Sequence, residues 1–132
     1  MITVFFHVKV NPSREAEFNA IAAELTTSSR QDDGCVEYVF HRRVGSPQEV
    51  VLYEQWRDQD ALSAHIRRLV SDMGPPDDDP NLPETHLRRR LPKAFMDLFD
   101  SAEAIRYEPV VDQPSITPVS YTHLTLPTKA LV

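Results

Sequence analysis

The stretch VLYEQWRDQDALSAHI (51–66) contains the change of pattern that decides the fold. Its first half is apolar and β-branched and ends at Trp56, the only tryptophan, which is typical of a strand. Asp58 follows at the position of a helix N-cap, and the residues after it are apolar at helical spacing. We therefore predict a strand over EVVLYEQWR (49–57) that passes directly into a helix, whose apolar face carries Ala61, Leu62, His65, Ile66 and Leu69.

The chain begins with the pattern of a strand followed by a helix. ITVFFHVKV (2–10) has the period of two and the β-branched and aromatic residues of a strand. NPSREAEFNAIAAEL (11–25) offers Asn11 as an N-cap and Pro12 at the first helical position, so it predicts a helix. We expect the polar TTSSRQDDG (26–34) to end that helix.

A second strand and a hairpin turn connect this helix to the opening stretch. CVEYVFHRRV (35–44) predicts the strand, and Gly45, Ser46 and Pro47 predict the turn into residues 49–57. Large apolar side chains alternate on both faces of the two strands: Val36, Tyr38 and Phe40 against Cys35 and Val39, and Val50, Leu52 and Trp56 against Val51 and Tyr53. Helices cover only one face of such a sheet, so we expect the same face of a second copy to cover the other, in a homodimer.

The C-terminal half is less regular. MGPPDDDPNLPE (73–84) is rich in proline and acid, so we expect a solvated loop that is an insertion. THLRRRL (85–91) and KAFMDLFD (93–100) have a helical pattern that Pro92 should kink or split, with three residues facing a core: Phe95, Leu98 and Phe99. AEAIRYEPVV (102–111) predicts a fourth strand.

The order strand, helix, strand, strand, helix, strand defines the predicted fold class. It is the α+β, ferredoxin-like βαββαβ arrangement, with a four-stranded antiparallel sheet and helices on one face. In that arrangement the third strand lies inside the sheet beside the first.

Length and composition limit the classes of protein to consider. A chain of 132 residues suits one domain, which we assign to residues 1–111. The formal net charge of −6 argues against nucleic acid or an anionic membrane as a partner, and no apolar run approaches the about 20 residues of a membrane helix. Because Cys35 is the only cysteine and the start has no signal-peptide pattern, we expect a cytoplasmic protein without an internal disulfide.

The end of the chain does not share these patterns. Residues 112–132 begin rich in proline and continue poor in charge, so we expect a disordered or loosely docked tail. The sequence SYTHLTLPTKA, within residues 119–132, also closely resembles translated sequencing-adapter sequence, in which case it has no evolved role. For this reason His123 and Lys129 are not candidate site residues.

Trp56, His65 and Glu54 are the candidate catalytic residues. Trp56 either stacks on an aromatic substrate and offers its indole N–H to a developing oxyanion, or it is a core residue. His65 is either a general base, since an imidazole titrates near pH ~6.5, or a packing histidine bonded to a carbonyl or carboxylate. Glu54 shares a face with Trp56 and is either the partner that orients His65 or a member of an ion pair, for instance with Arg106.

The spacing of the histidines does not indicate a metal site. Neither HxH nor HxxxH spacing occurs among those on separate predicted elements: His7, His41, His65 and His86. His7 and Tyr53 fall on the opposite strand face from Trp56, which would put them nearer the dimer interface than a pocket. His86, near the insertion, is either at the mouth of a pocket or simply exposed.

The segment DDGCVEYVFHRRVGSPQEVVLYEQWRDQDALSAHI (32–66) resembles the antibiotic biosynthesis monooxygenase family of dimeric α/β barrels. The resemblance lies in a glycine before the second strand, a strand motif of the form LYExW, a short acidic turn with an Ala-Leu pair, and a helix histidine: Gly34, Leu52, Tyr53, Glu54, Trp56, Asp58, Ala61, Leu62 and His65. In element order it extends over most of residues 1–111.

The resemblance implies a ferredoxin-like subunit paired through its sheet, with a mostly apolar pocket between sheet and helices. Candidate substrate-binding residues there are Phe6, Leu52, Leu62 and Phe95. Members of the family include oxygenases that turn phenols or quinols into quinones without metal or flavin, enzymes that open bound heme, and isomerases. The asparagine that the first two groups use beside their tryptophan has no counterpart in a predicted strand, since the asparagines are Asn11, Asn19 and Asn81.

These observations lead to one hypothesis and two alternatives. The hypothesis is a monooxygenase, independent of metal and cofactor, that acts on a small aromatic quinol or phenol and molecular oxygen through His65, Trp56 and Glu54. One alternative is a non-catalytic dimeric binding module in which the same residues only pack. The other is a heme-binding or heme-degrading protein with His65 as the heme ligand.

Overall fold

The computed structural model describes residues 1–111. Its regular elements are strand β1 (Ile2–Val10), helix α1 (Glu15–Ser29), strands β2 (Cys35–Arg43) and β3 (Ser46–Trp56), helix α2 (Gln59–Met73), the short helix α3 (Lys93–Met96) and strand β4 (Phe99–Tyr107). The strands form one antiparallel sheet in the order β2-β3-β1-β4. This confirms the predicted ferredoxin-like fold, with β3 beside β1 inside the sheet.

Helix α1 is longer than its sequence pattern predicts. Asn11 accepts a hydrogen bond from the backbone of Ser13 and caps a short 3₁₀ turn, from which α1 continues to Ser29 instead of ending at residue 25. The Thr26 hydroxyl donates to the Ala22 carbonyl at 2.7 Å, so its polar group is satisfied inside the helix. Ser29 is fully buried, and the polar TTSS segment is therefore the last turn of the helix.

The β2–β3 hairpin has a tighter turn than predicted. Ser46 already pairs with Arg43, so Ser46 and Pro47 belong to β3 and only Val44 and Gly45 form the turn. Gly45 has a φ of +81°, which a residue without a Cβ adopts at little cost. The glycine explains why two residues are enough to reverse the chain.

The segment after α2 departs most from its prediction. The helical pattern over residues 85–100 gives only a 3₁₀ turn (Leu87–Arg89) and α3, because Pro92 is extended and β4 already begins at Phe99. Residues 74–92 are also not a free loop: the backbone N–H of Asp77 donates to the Arg88 carbonyl at 2.8 Å. Two leucines of this segment pack against the core, Leu87 and Leu91. Residues 74–84 themselves contain no helix or extended strand and many of their side chains are exposed, as expected of a loop, while the segment that follows them packs on the core.

The two faces of the sheet have different surroundings. The helix face carries the core, in which Trp56, Tyr38 and Phe18 are almost completely buried. The other face carries an aromatic cluster in which the ring of Phe5 lies 5.2 Å from Tyr53 and 5.5 Å from Tyr107, measured between centroids. His7 lies on this open face, as predicted, because the neighbouring β1 residues are the buried ones. No helix within residues 1–111 is long and apolar enough to cross a membrane.

Candidate active site

His65 is held at the end of the core by a carboxylate from the connection between α1 and β2. Its Nδ1 atom lies 2.8 Å from Oδ2 of Asp32, which is in the short connection between α1 and β2. The Nε group of Arg68, one turn along α2 from His65, donates to the other oxygen of Asp32 at 2.6 Å. Arg68 also donates to the Ser29 hydroxyl at 3.2 Å. The imidazole is thus fixed in one orientation by a partly buried carboxylate, which a guanidinium holds in turn.

A glycine allows the connection that carries Asp32 to approach α2. Gly34 has a φ of +83°, and its carbonyl accepts the backbone N–H of Arg57 at 2.8 Å. A Cβ at this position would lie only 2.5 Å from the Cβ of Ala61. The connection can therefore lie against the start of α2 only because residue 34 has no side chain.

Glu54 is the second carboxylate beside His65. The indole Nε1 group of Trp56 donates to its Oε1 atom at 3.0 Å, and the same oxygen lies 3.8 Å from Nε2 of His65. The rings of Trp56 and His65 are 4.4 Å apart between centroids and tilted by 33°. The ring of Tyr38 meets His65 edge-on at 5.4 Å. Trp56, Tyr38 and the two carboxylates therefore enclose the imidazole.

Burial and charge give the members of this cluster different protonation states. Burial opposes ionisation of Asp32, but hydrogen bonds from Arg68 and His65 outweigh it and lower the pKa of Asp32. Burial raises the pKa of Glu54 to about 7, although the bond from Trp56 works against that rise. Burial also lowers the pKa of His65, which the bond to Asp32 offsets only in part. At neutral pH, then, Asp32 is ionised and His65 is neutral.

A cavity of about 100 Å³ lies between the sheet and the segment from α2 to α3. His65, Glu54 and Tyr38 form one polar part of its wall, Gln59, Arg90 and Arg106 form another, and the remaining lining residues are aliphatic or aromatic. Every fully buried side-chain nitrogen and oxygen of residues 1–111 has a hydrogen-bond partner. Nε2 of His65, the ring nitrogen not bonded to Asp32, is on the side of Glu54, and both residues line the cavity.

The structure places the predicted site residues as follows. His65, Glu54 and the four residues proposed for substrate binding all line the cavity: Phe6, Leu52, Leu62 and Phe95. Trp56 lies behind His65 and does not line it, and its indole N–H is already bonded to Glu54. In this structure that N–H therefore donates to Glu54, and its predicted donation to a substrate oxyanion stays a prediction.

Two predicted partnerships of Glu54 also differ from the structure. Arg106 pairs with Val4 in the β1–β4 ladder, and Val4 pairs with Glu54 in the β1–β3 ladder, so β1 separates the two charged residues. Arg106 bonds to the side chain of Gln59 instead. The hydrogen-bond partner that orients His65 is Asp32, and Glu54 is beyond hydrogen-bonding distance.

Sequence reasoning did not identify Asp32, Arg68 or Tyr38. Asp32 lies in a polar acidic run and is 33 residues from His65, so no local spacing connects the two. One signal was present: a glycine two residues later marks a place where the backbone approaches another element closely. Arg68 was detectable as a charged residue one turn after His65, on a helix whose apolar face was known.

The other histidines lie away from this cluster. His7 and His41 line a groove on the open face of the sheet, and His86 is exposed, its Nδ1 atom accepting the backbone N–H of Arg88. Within residues 1–111, no group of three or more His, Cys, Asp or Glu side chains is arranged to hold a metal ion. The tail, including residues 119–132, lies outside the described residues.

Comparison with known proteins agrees with the geometry. The sequence model of the antibiotic biosynthesis monooxygenase family matches residues 1–68. The chain belongs to this family. The match includes Asp32, Glu54, Trp56, His65 and Arg68, but not the segment that closes the cavity on its other side.

Curated relatives cover the same half of the chain. The chain is 32% identical over 65 residues to the Bacillus subtilis protein named "Putative monooxygenase YcnE". The aligned region is 49% of this chain and 68% of that protein. It is 30% identical over 66 residues to the uncharacterized protein sll1783 of Synechocystis, 50% of this chain but only 45% of that protein. The family is therefore supported by sequence over the first half.

Solved structures extend the similarity of fold to most of the chain. A family member from Nitrosomonas europaea superposes with a TM-score of 0.61 at 14% identity and covers 84% of this chain and all, 100%, of that one. Another from Deinococcus radiodurans superposes with a TM-score of 0.60 at 16% identity and covers 89% of this chain and 100% of that one. At such identities the likeness shows the fold, and the reaction has to be argued from the site.

Proposed function

We propose that this protein is a monooxygenase that uses neither metal nor organic cofactor and acts on a small aromatic quinol or phenol with molecular oxygen. Family membership supports the reaction class, and the site supports the mechanism. The observation that carries the proposal is the position of His65, which lines the cavity and whose Nδ1 atom bonds to Asp32. This is the arrangement of a general base with an orienting carboxylate.

His65 is the proposed base. Because ionised Asp32 accepts a hydrogen bond, the Nδ1 atom of neutral His65 carries the proton and Nε2 carries the lone pair. A phenolic hydroxyl in the cavity gives its proton to Nε2. Asp32 then stabilises the imidazolium, and Arg68 keeps the carboxylate in place. The free enzyme is ready for this step at neutral pH, since burial lowers the pKa of His65.

The substrate itself supplies the electrons. Deprotonation leaves an electron-rich aromatic anion that reacts with molecular oxygen, and one oxygen atom becomes bonded to a ring carbon. The two electrons and two protons lost by the ring reduce the second oxygen atom to water, so that a phenol with one oxygen molecule gives a quinone and one water. The role of the protein is to bind, deprotonate and exclude bulk water.

The size of the cavity supports a small substrate. Its volume of about 100 Å³ is below the about 300–1,000 Å³ of ordinary ligand pockets and below the about 150 Å³ of an engineered cavity that binds benzene, so a single ring is the upper limit of what it could hold. A single ring fits this scale better than a macrocycle does. Phe6, Leu52, Leu62 and Phe95 supply the apolar wall on which a ring would pack.

Oxygen consumption over a panel of one-ring quinols and phenols tests the proposal. We expect the wild-type protein to consume oxygen with at least one of them, and His65→Ala to lower that rate by about 10²–10⁴-fold. His86→Ala is the matched control, because His86 is exposed and does not line the cavity. Equal rates in wild type, His65→Ala and a solution without protein reject the proposal.

We also propose that two copies pair through the open face of the sheet. The Phe5, Tyr53 and Tyr107 cluster lies there half-covered, and a contiguous apolar patch on one sheet face is typical of an interface. The cavity is on the opposite, helix-covered face, so such pairing leaves the site accessible.

A further inference from the structure

Two arginines lie on the wall of the cavity, on segments that are distant in the sequence. Arg90 follows the 3₁₀ turn in the segment between α2 and α3, and Arg106 is on the edge strand β4. Both lie beyond residues 1–68, the part of the chain that matches the family. The arginines are therefore features of this chain's own second half.

The register of the sheet places Arg106 opposite the proposed catalytic end. Glu54, Val4 and Arg106 are direct neighbours on β3, β1 and β4, in one row across the sheet. Adjacent strands are about 4.8 Å apart, so the backbones of Glu54 and Arg106 are about 10 Å apart. All three side chains line the cavity. A ring above Val4 would lie between a carboxyl group at one end and a guanidinium at the other.

The positive charge of Arg106 is held in place without being neutralised. Its guanidinium donates to the side-chain oxygen of Gln59. The amide nitrogen of Gln59 donates in turn to the Ser63 hydroxyl at 2.9 Å, which fixes the orientation of the amide. A neutral amide positions a guanidinium but leaves its charge available to a ligand.

Nine other arginines lie within residues 1–111, none of them on the cavity wall, and four of these also form no ion pair: Arg30, Arg42, Arg67 and Arg89. The others form ion pairs with carboxylates: Arg14, Arg43, Arg57, Arg68 and Arg88. Arg90 and Arg106 have no carboxylate partner within residues 1–111. Among the residues that line the cavity, Glu54 alone carries a carboxyl group, and its buried position disfavours the ionised form. The cavity is therefore apolar with a net positive rim.

We propose that the ligand of this cavity is a one-ring aromatic compound with a carboxylate, which Arg106 and Arg90 bind while its hydroxyl faces His65. The proposal deepens the proposed function and rests on it for the identity of the reacting group. Guanidinium groups bind carboxylates through charge-assisted, often bidentate hydrogen bonds, so the two arginines select for the acid over a neutral compound of the same shape.

A pair of ligands that differ only in this group provides the test. We would measure the dissociation constants of 4-hydroxybenzoate and 4-hydroxybenzamide by isothermal titration calorimetry, at two salt concentrations. The wild-type protein should bind the carboxylate about tenfold more tightly than the amide, and the preference should shrink as salt rises. Arg90→Gln and Arg106→Gln should each reduce the preference, and the double variant should remove it by weakening carboxylate binding more than amide binding.

Arg67→Gln is the matched control. Arg67 is an exposed arginine of α2 that does not line the cavity, so this variant loses the same charge and should keep the preference. Equal dissociation constants for the two ligands in wild type, failure of both to bind, or a preference that survives the double substitution would overturn the proposal. Thermal unfolding of each variant verifies that it is folded.

The binding test needs no turnover, and this separates the two proposals. If the protein binds the carboxylate selectively but consumes oxygen with no compound of the panel, the proposed reaction is overturned and carboxylate binding by Arg90 and Arg106 is supported. If the protein consumes oxygen but acids and amides do not differ in binding or in KM, the reaction is supported and carboxylate binding by the two arginines is overturned.

Discussion

Nδ1 of His65 lies 2.8 Å from Oδ2 of Asp32, although 33 residues separate the two in the sequence. The bond fixes which imidazole nitrogen carries the proton and leaves Nε2 free to accept one. Asp32 touches no part of the cavity wall itself, so it is a positioning residue that acts through His65.

Asp32→Asn should change both the rate and its dependence on pH. Without the carboxylate, the imidazolium formed during reaction is less stable, so we expect the plateau rate to fall, by less than in His65→Ala. The bond to Asp32 raises the pKa of His65 against the effect of burial. Its loss should therefore move the acid limb of the rate profile to lower pH. A profile of unchanged height and midpoint would show that Asp32 does not act through His65.

Glu54→Gln should alter how stability depends on pH. The pKa of Glu54 is raised from 4.5 to about 7 by burial, so its contribution to stability is present below pH 4.5 and is lost as the pH rises through about 7. A shift of this size corresponds to about 3 kcal/mol. The free energy of unfolding of the variant, relative to that of wild type, should therefore rise by about 3 kcal/mol between pH 4.5 and pH 8. Urea unfolding at a series of pH values measures it.

His65 has the opposite effect in part of this range. Its pKa is lowered, so its contribution is present above pH 6.5 and is lost as the pH falls through its folded-state value. In wild type, the contributions of Glu54 and His65 to the pH dependence of the free energy of unfolding oppose each other. In Glu54→Gln only that of His65 remains, so stability should rise with pH up to about 6.5. Glu24→Gln, on the exposed side of α1, is the control for loss of a carboxylate. A difference between wild type and Glu54→Gln that stays constant across pH would contradict the burial of this carboxyl group.

Gly34→Ala should destabilise the fold more than Gly45→Ala. The two glycines have nearly the same φ, +83° and +81°, so the backbone cost of a Cβ is similar, roughly 1–2 kcal/mol. Only at Gly34 does the new Cβ collide with another, that of Ala61 at 2.5 Å, which adds about 1–3 kcal/mol. Chemical denaturation of both variants gives the difference. Equal losses would mean that the connection carrying Asp32 does not lie against α2.

Phe5→Glu should prevent pairing of two copies. Phe5 is at the centre of the aromatic cluster on the open face, and a charge there cannot be buried against a second sheet without a partner. We expect light scattering to give a dimer mass for wild type and a monomer mass for the variant. Val44→Glu, in the fully exposed hairpin turn, should remain dimeric. A monomeric wild-type protein at micromolar concentration would contradict the proposed interface.

The elements with a long, single period were predictable from the sequence. The strand over residues 2–10 and the helix after Asp58 have the predicted bounds to within a few residues, because alternation and capping are local properties. Together with the first helix, the hairpin and the fourth strand, they define the order of elements and hence the fold. The Asp58 cap is present as expected, its carboxylate accepting the Ala61 N–H at 2.8 Å.

The parts that depend on distant contacts were not predictable. Residues 85–100 look helical, but pairing of β4 with β1 from Phe99 onward competes with the helix. Asp32 looks like a solvated acid, and only the folded chain brings it to His65. The sequence therefore predicts the site residues on the helix and the strand, which follow from periodicity. It does not predict the residue that orients the base, because that residue lies in a loop.

The central claim is that His65 and the cavity suffice for oxygen incorporation. It is tested most directly with ¹⁸O₂ and a phenol or quinol that the protein consumes, after removal of metal and with spectroscopic verification that no flavin or heme is present. Mass spectrometry should find one ¹⁸O atom in each quinone molecule and the other in water, with the yield falling about 10²-fold or more in His65→Ala. Quinone without ¹⁸O, or equal yields with and without His65, would contradict the account.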